Sequence, residues 1–211
     1  MPSESSERLS ALELRAISAH AVSRSYPKNT VVVSEGDATN SLYVVLEGRV
    51  KIFLADATGR EIVLGEAGPG EYFGEMTLDG GPRSASVMTL EASRLSAIPQ
   101  ADFKQFISAN PAFAFHLVQN LIARVRVLTD NVKSLALMDV YGRVARVLLE
   151  LAHEENGQLV ISEKPTQIEL AGRIGASREM VSRILKDLSS GGFIRTEGKS
   201  MVIARTLPKQ W

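Results

Sequence analysis

The apolar positions of this chain fall into three textures, each with its own period. Short apolar runs at residues 30–34, 41–47, 49–55, 61–65, 85–90 and 94–99 are separated by turn signals, among them Gly36-Asp37, Gly48, Thr58-Gly59 and Gly68-Pro69-Gly70. Runs of this length, repeating about every 8–12 residues between glycine-rich turns, predict the strands of a β-sandwich or barrel. The stretch before them, through residue 25, reads as helical, with Leu9, Leu12, Leu14 and Ile17 apolar and Ser5 or Ser10 as caps. After Pro99 the pattern turns helical again, and Asn110-Pro111 marks a helix start. Ala114, Val118, Leu121, Val125, Leu128, Val132 and Leu135 then alternate steps of four and three without a break. Such a narrow stripe is a coiled-coil seam rather than the broad face of a helix lying on one core, and it predicts a parallel homodimer.

The third texture begins at Asp139, which can cap a helix with Val140, Val144, Val147, Leu148 and Leu151 on its apolar face. Met138-Asp139 is therefore a candidate hinge. Glu155-Asn156-Gly157 is a turn and 158–162 a short strand. Two helices over 166–173 and 177–189 flank a turn at Gly175, and Gly191-Gly192 ends the second. Residues 193–196 and 201–204 form a hairpin about Gly198-Lys199. Helix-turn-helix followed by a two-stranded wing is a winged-helix arrangement. The expected class is α+β, with a β-domain over 1–109, a dimerisation helix over 110–138 and a winged helix-turn-helix domain over 139–211.

Composition narrows the function classes. The chain has 211 residues, 45% of them hydrophobic and 23% charged, as in ordinary globular proteins. It has no cysteine, which removes disulfides and thiol redox chemistry and fits a cytoplasmic location. His20, His116 and His153 show no metal-ligand spacing, so no metal site is expected. Neither a membrane-length apolar run nor a leader is visible, and no nucleophile–base set suggests an enzyme. The formal net charge is zero, but from Asp139 onward 11 Lys and Arg face 9 Asp and Glu. A nucleic-acid reader so balanced must rely on local placement of its basic groups.

Two segments carry chemistry. In Phe73-Gly74-Glu75-Met76 and Arg83-Ser84-Ala85, a carboxylate and a guanidinium stand at the ends of a glycine-flanked loop. Gly74 permits close backbone approach to a ligand. A helical turn beginning at Glu75 would aim free amides at an anion. Arg83 can span two phosphate oxygens, with Ser84 donating beside it. Glu75 would repel a phosphate, and makes sense only as the acceptor for a ribose hydroxyl. The pattern suits a cyclic nucleotide.

The second segment is Ser177-Arg178-Glu179-Met180-Val181-Ser182-Arg183, the front of the second helix of the helix-turn-helix. That part enters the major groove of double-stranded DNA. Arg pairs bidentately with guanine N7 and O6, and Glu accepts from cytosine N4, so Arg178, Glu179, Ser182 and Arg183 are the candidate base readers. Met180, Val181, Ile184, Leu185 and Leu188 supply the inward packing. Ser177 and Thr166 can cap helices and donate to phosphate, and Gln167 and Lys199 complete the candidate DNA contacts.

Taken together, the ligand loop, residues 135–143 and the Ser177-Arg178-Glu179…Arg183 helix resemble the CRP/FNR family of bacterial transcription factors, in its cAMP-receptor branch. The resemblance spans nearly the whole chain. It implies a jelly-roll cyclic-nucleotide domain, a long dimerising helix, a winged helix, and RNA polymerase as a partner. Gly74 and Glu75 match the positions that hold ribose, and Arg83 and Ser84 those that hold the cyclic phosphate, with Met76 and Ala85 beside them. The reading helix implies a palindromic operator with TGTGA-like half-sites. The cAMP-binding members place a threonine and a serine against the base; here Leu128 and Thr129 stand there, so cGMP or cyclic di-GMP are alternatives to cAMP. A constitutive DNA binder with a vestigial pocket, and a cyclic-nucleotide-binding adaptor for a partner protein, are the rival readings.

Overall fold

The computed structural model of the chain describes residue 17 and residues 21–208 apart from Thr39. The expected helix about Leu9, Leu12 and Leu14, with its caps at Ser5 or Ser10, lies outside the described residues; Ile17 is helical and buried. The helix does not continue to residue 25. Val22–Tyr26 is a strand, β1, antiparallel to a later strand from Tyr26↔Ser93 to Val22↔Ala97. Pairing with a sheet edge outweighs a weak helical pattern here, because it satisfies backbone groups along the whole segment.

Seven further strands follow: β2 (Val31–Val33), β3 (Ser41–Glu47), β4 (Val50–Ala55), β5 (Glu61–Ala67), β6 (Tyr72–Phe73), β7 (Ser86–Thr89) and β8 (Ser93–Pro99). They form two four-stranded sheets, in the orders β1-β8-β3-β6 and β2-β7-β4-β5. β3 shows why the sheets pack. Val45 joins Val33, Val50, Ala67, Phe73, Val87 and Leu95 in a core drawn from both sheets. Leu42 and Val44, on the opposite face, join Tyr72, Ile98, Phe103, Phe106, Phe113 and Leu117. A strand covered on both faces reads as a continuous apolar run, as Leu42-Tyr43-Val44-Val45-Leu46 does. The outer cover comes from α1 (Gln100–Ala109) and the first turns of α2 (Pro111–Leu137). The two-residue β6, too short to leave a sequence signal, pairs Phe73 with Tyr43 and Tyr72 with Val44. That pairing anchors the backbone at the entry to Gly74.

α2 is unbroken over 27 residues. Along it Val118, Leu121, Val125, Leu128, Val132 and Leu135 are all exposed, from 36% at Leu121 to 65% at Val132. The helix stops at Leu137, and α3 (Val140–Leu151) starts after Asp139, whose carboxylate accepts from the Gly142 amide at 2.7 Å. Met138 and Asp139 are thus the two residues between helices.

β9 (His153–Glu155), β10 (Gln158–Ile161), α4 (Gln167–Ile174), α5 (Arg178–Ser190), β11 (Ile194–Glu197) and β12 (Ser200–Ile203) follow, the strands in the order β11-β12-β10-β9. Val144 and Leu148 of α3, Leu170 and Ile174 of α4, and Val181, Ile184 and Leu188 of α5 close one core with the sheet. Arg143 ties α3 to the end of α4. Its Nε donates to the Ile174 carbonyl at 3.0 Å and Nη1 to that of Met138 at 3.0 Å, placing a cation at a helix C-terminus. The chain divides into two compact units, residues up to Leu54 with Val63–Leu128, and Ala55–Ile62 with residues from Thr129 onward.

Candidate effector pocket and DNA-reading helix

In the first unit a cavity of about 240 Å³ opens beside the loop that follows β6. Gly74 sits at φ 84, a left-handed conformation that favours glycine, and caps a one-turn 3-10 helix, Glu75–Asp79. A side chain at Gly74 would also collide with the Arg83 guanidinium and press on the Ser41 carbonyl at 3.1 Å. The expected turn at Glu75 is present, and the glycine is required twice over, by its dihedral and by its neighbour.

Arg83 is 7% exposed. Its Nη2 donates to the Ser41 carbonyl at 2.6 Å and Nη1 to that of Gly74 at 3.4 Å, and the guanidinium lies 5.6 Å from the centre of the Tyr43 ring. That ring stacks in turn on Phe73 at 5.1 Å. Burial pulls the Arg83 pKa below its ordinary value, while Tyr43, Asp37 and Glu75 act to retain the charge. Burial first, and then Tyr26, raise the Tyr43 phenol above its usual value. The result is a preformed cation held by two carbonyls and a ring face, with its loop fastened by the Arg83 amide on the Asp37 carbonyl at 2.9 Å.

Glu75, 8% exposed, is paired with a residue that sequence reasoning missed. Arg124 of α2 reaches its Oε1 at 2.7 Å through Nη1, and donates from Nη2 to the Tyr72 carbonyl at 2.9 Å. The guanidinium also lies 5.5 Å from the Tyr72 ring centre, and the Tyr72 hydroxyl accepts from Asn120 Nδ2 at 3.0 Å. A buried carboxylate requires a counter-charge. Arg124 stands one helical turn before Leu128, so both fall on one face of α2, and that spacing was the available signal. Both guanidiniums and Glu75 line the same cavity.

Gly74, Glu75, Met76, Arg83, Ser84, Ala85 and Leu128 all line this cavity. Arg124 and Val127 line it as well. Ser84 is exposed, and its Oγ donates to the Met76 sulfur at 3.1 Å. Thr129 falls in the second unit.

In that second unit each helix of the helix-turn-helix carries its own N-cap. Thr166 makes a reciprocal capping box with Glu169, accepting from its amide at 3.2 Å and donating its own amide to Oε2 at 2.6 Å. Gly175, at φ 63, turns the chain, and Ser177 Oγ accepts from the Met180 amide at 3.2 Å. Val181, Ile184 and Leu188 face inward. Arg178, Glu179 and Arg183 are exposed, and among the described residues Glu179 makes no ion pair with Arg183. Ser182 lies half-buried between them. Met180 corrects the inward assignment: it is 38% exposed, because position 180 falls between the inward-facing positions and the reading face. The exposed Lys199 sits at the wing turn, whose carbonyl accepts from the Lys164 amide at 2.8 Å just before α4. Gln167, half-buried, opens α4.

Residues 23–110 match the cyclic nucleotide-binding domain family, and residues 142–206 the Crp-like helix-turn-helix domain family. The chain belongs to the CRP/FNR family. It is 36% identical over 184 residues to the CRP-like cAMP-activated global transcriptional regulator of Mycobacterium tuberculosis, spanning 85% of this chain and 82% of that one. It is 33% identical over 196 residues to the cAMP-activated global transcriptional regulator Vfr of Pseudomonas aeruginosa, spanning 89% and 92%. Among solved structures, the c-di-GMP responsive global regulator CLP of Xanthomonas campestris superposes with a TM-score of 0.80 at 31% identity, over 93% of this chain and 100% of that one. This regulator is accordingly a DNA-binding transcription factor with a cyclic nucleotide-binding domain, and not an enzyme. Among its described residues no helix is long and apolar enough to cross a membrane.

Proposed function

We propose that this regulator is a homodimer whose binding to a palindromic operator is switched by a cyclic nucleotide, with cAMP the leading effector. The observation that carries this reading is the convergence of Arg83, Glu75 and Arg124 on one cavity. Arg83 takes the cyclic phosphate through its fork, helped by Ser84. Glu75, oriented by Arg124, accepts the ribose 2′-OH, and a ligand lacking that hydroxyl leaves the carboxylate desolvated and unpaired. One fork-bearing arginine with an adjacent serine, and one paired carboxylate, match a single cyclic phosphate and a single ribose, which supports a mononucleotide. The cAMP-activated relatives favour the same choice. CLP, responsive to c-di-GMP, and Leu128 in the cavity wall favour the second reading, another effector for the same pocket.

Two copies then pair along α2. Val118, Leu121, Val125, Leu128, Val132 and Leu135 form an exposed apolar stripe in steps of three and four, which a second copy covers by knobs-into-holes packing. Burying each valine contributes about 1.5–3 kcal/mol. Val125→Glu with Val132→Glu is therefore expected to turn a dimer into monomers at micromolar concentration. Sedimentation measures this directly; a dimer that survives both changes means the seam lies elsewhere.

Met138-Asp139 serves as the hinge about which ligand orients the reading helices, and Thr129 as a contact from α2 to the effector. The dimer sets the two helices in successive major grooves, about 34 Å apart, on TGTGA-like half-sites. Thr166, Gln167, Ser177 and Lys199 hold phosphates while Arg178, Glu179, Ser182 and Arg183 read bases. RNA polymerase is the partner through which bound regulator changes transcription, in the cytoplasm. Coupling between sites is reciprocal, so operator DNA must tighten effector binding by the factor with which effector tightens operator binding. Titration of cAMP with and without operator tests the switch: a rise of roughly 5–150-fold is expected. Equal affinities would leave a constitutive DNA binder.

A further inference from the structure

The front of the reading helix exposes a side chain that the hydrogen-bonding account of base reading leaves without a role. Met180, the third residue of α5, is 38% exposed, and among the described residues of that helix it is the one large apolar side chain left exposed. Val181, Ile184 and Leu188 bury the inward face, while the exposed neighbours Ser177, Arg178, Glu179 and Arg183 are polar. Helical spacing sets Met180 one turn ahead of Arg183 on the same flank. Its backbone is fixed there, because the Met180 amide donates to the Ser177 cap at 3.2 Å. The N-terminal residues of a recognition helix are the ones that reach base edges in the major groove.

We propose that Met180 reads a thymine methyl group in each half-site of the operator. Thymine alone adds a C5-methyl to its hydrogen-bonding pattern in the major groove, and that methyl is recognised by apolar contact. The forks of Arg178 and Arg183 and the carboxylate of Glu179 suit guanine and cytosine. Met180 supplies the apolar surface those groups lack. An unbranched, polarizable thioether follows an irregular surface well, so it closes over the methyl and removes both from water. Cytosine in the same place has only hydrogen at C5 and presents a donor at N4, for which a thioether sulfur is a weak acceptor. Met180 therefore selects thymine over cytosine at a position beside the base that Arg183 reads, and the specificity of the helix extends beyond its charged residues.

The test starts from duplexes that the full chain selects out of random sequence, with and without cAMP, so that the outcome does not depend on the effector. Each thymine of the selected half-site is then replaced by deoxyuridine, which removes the methyl and nothing else. Fluorescence anisotropy measures the affinity of each duplex for the unaltered protein, Met180→Ala and Met180→Leu. One thymine per half-site is expected whose replacement weakens the unaltered protein about 4-fold, the worth of one buried methyl group. The same replacement should leave Met180→Ala unaffected, whereas Met180→Leu, still apolar, should retain the sensitivity. A selected half-site without thymine overturns the proposal. So does the absence of any deoxyuridine effect in the unaltered protein, a result that needs no variant to fold. An equal deoxyuridine penalty in Met180→Ala overturns it as well, because the methyl is then held by another group.

Discussion

Arg83→Ala is expected to lower cyclic-nucleotide affinity by about 10²–10⁴-fold, the loss of two charge-assisted hydrogen bonds at ~1.5–3 kcal/mol each. The side chain is buried, so the change also removes donors from the Ser41 and Gly74 carbonyls and uncovers the Tyr43 ring. A thermal melt of the ligand-free variant separates that structural cost from lost ligand contacts. Arg83→Lys sharpens the result. Lysine retains the charge but is a point donor without a planar fork, so it cannot hold Ser41, Gly74 and two phosphate oxygens together. Its affinity should fall between those of Ala and Arg, with a melt close to that of the unaltered protein. If Arg83→Ala binds cAMP as well as the unaltered chain does, the phosphate does not sit at Arg83, and the pocket assignment fails.

On the DNA side, Arg178→Ala is expected to cost about 1–3 kcal/mol at each half-site and to relax preference at one base pair. A symmetric operator counts the loss twice, so the dimer should weaken by roughly 30-fold or more. Arg178 is exposed on the first turn of α5 and makes no ion pair among the described residues, so its removal should leave the fold's stability nearly unchanged. Lys199→Ala provides the contrast. A phosphate contact carries no sequence information, so its loss should weaken all DNA sequences alike and lower the salt dependence by about one counterion per contact. Fluorescence anisotropy on operator and scrambled duplexes, at several salt concentrations, distinguishes the two. A uniform loss for Arg178→Ala would move it from base reading to phosphate binding.

Much of this was legible in the chain before any coordinates. Thr166 and Ser177, each before a helical run, marked both helices of the reading unit, and both caps are made, the first as a capping box with Glu169. Cap chemistry is local: donor and acceptor stand three residues apart, so sequence nearly suffices. The same holds for the strands, short apolar runs bounded by glycine turns, and for the stripe along α2, whose steps of three and four name one face of a helix. Locality failed at β1, where a weak helical pattern yielded to pairing with β8, and at β6, which consists of two residues held by β3. It failed again at Met180, half a helical step from the face assigned to it.

The chemical types in the pocket were readable, but their geometry was not. Gly74, Glu75, Arg83 and Ser84 are near neighbours in the chain and announced a phosphate and a ribose together. Arg124 joins Glu75 across 49 residues, and Ser41 holds Arg83 across 42. No local period encodes such pairs. They exist because β3, β6 and α2 pack around one core, and that packing brings a helix cation beside a loop carboxylate and a strand carbonyl under a guanidinium. Side-chain identity, period and caps thus specify which elements form and which chemistry they carry. Only long-range burial decides that Glu75 is already paired, that Arg83 is already caged, and that Leu128 meets the cavity they frame.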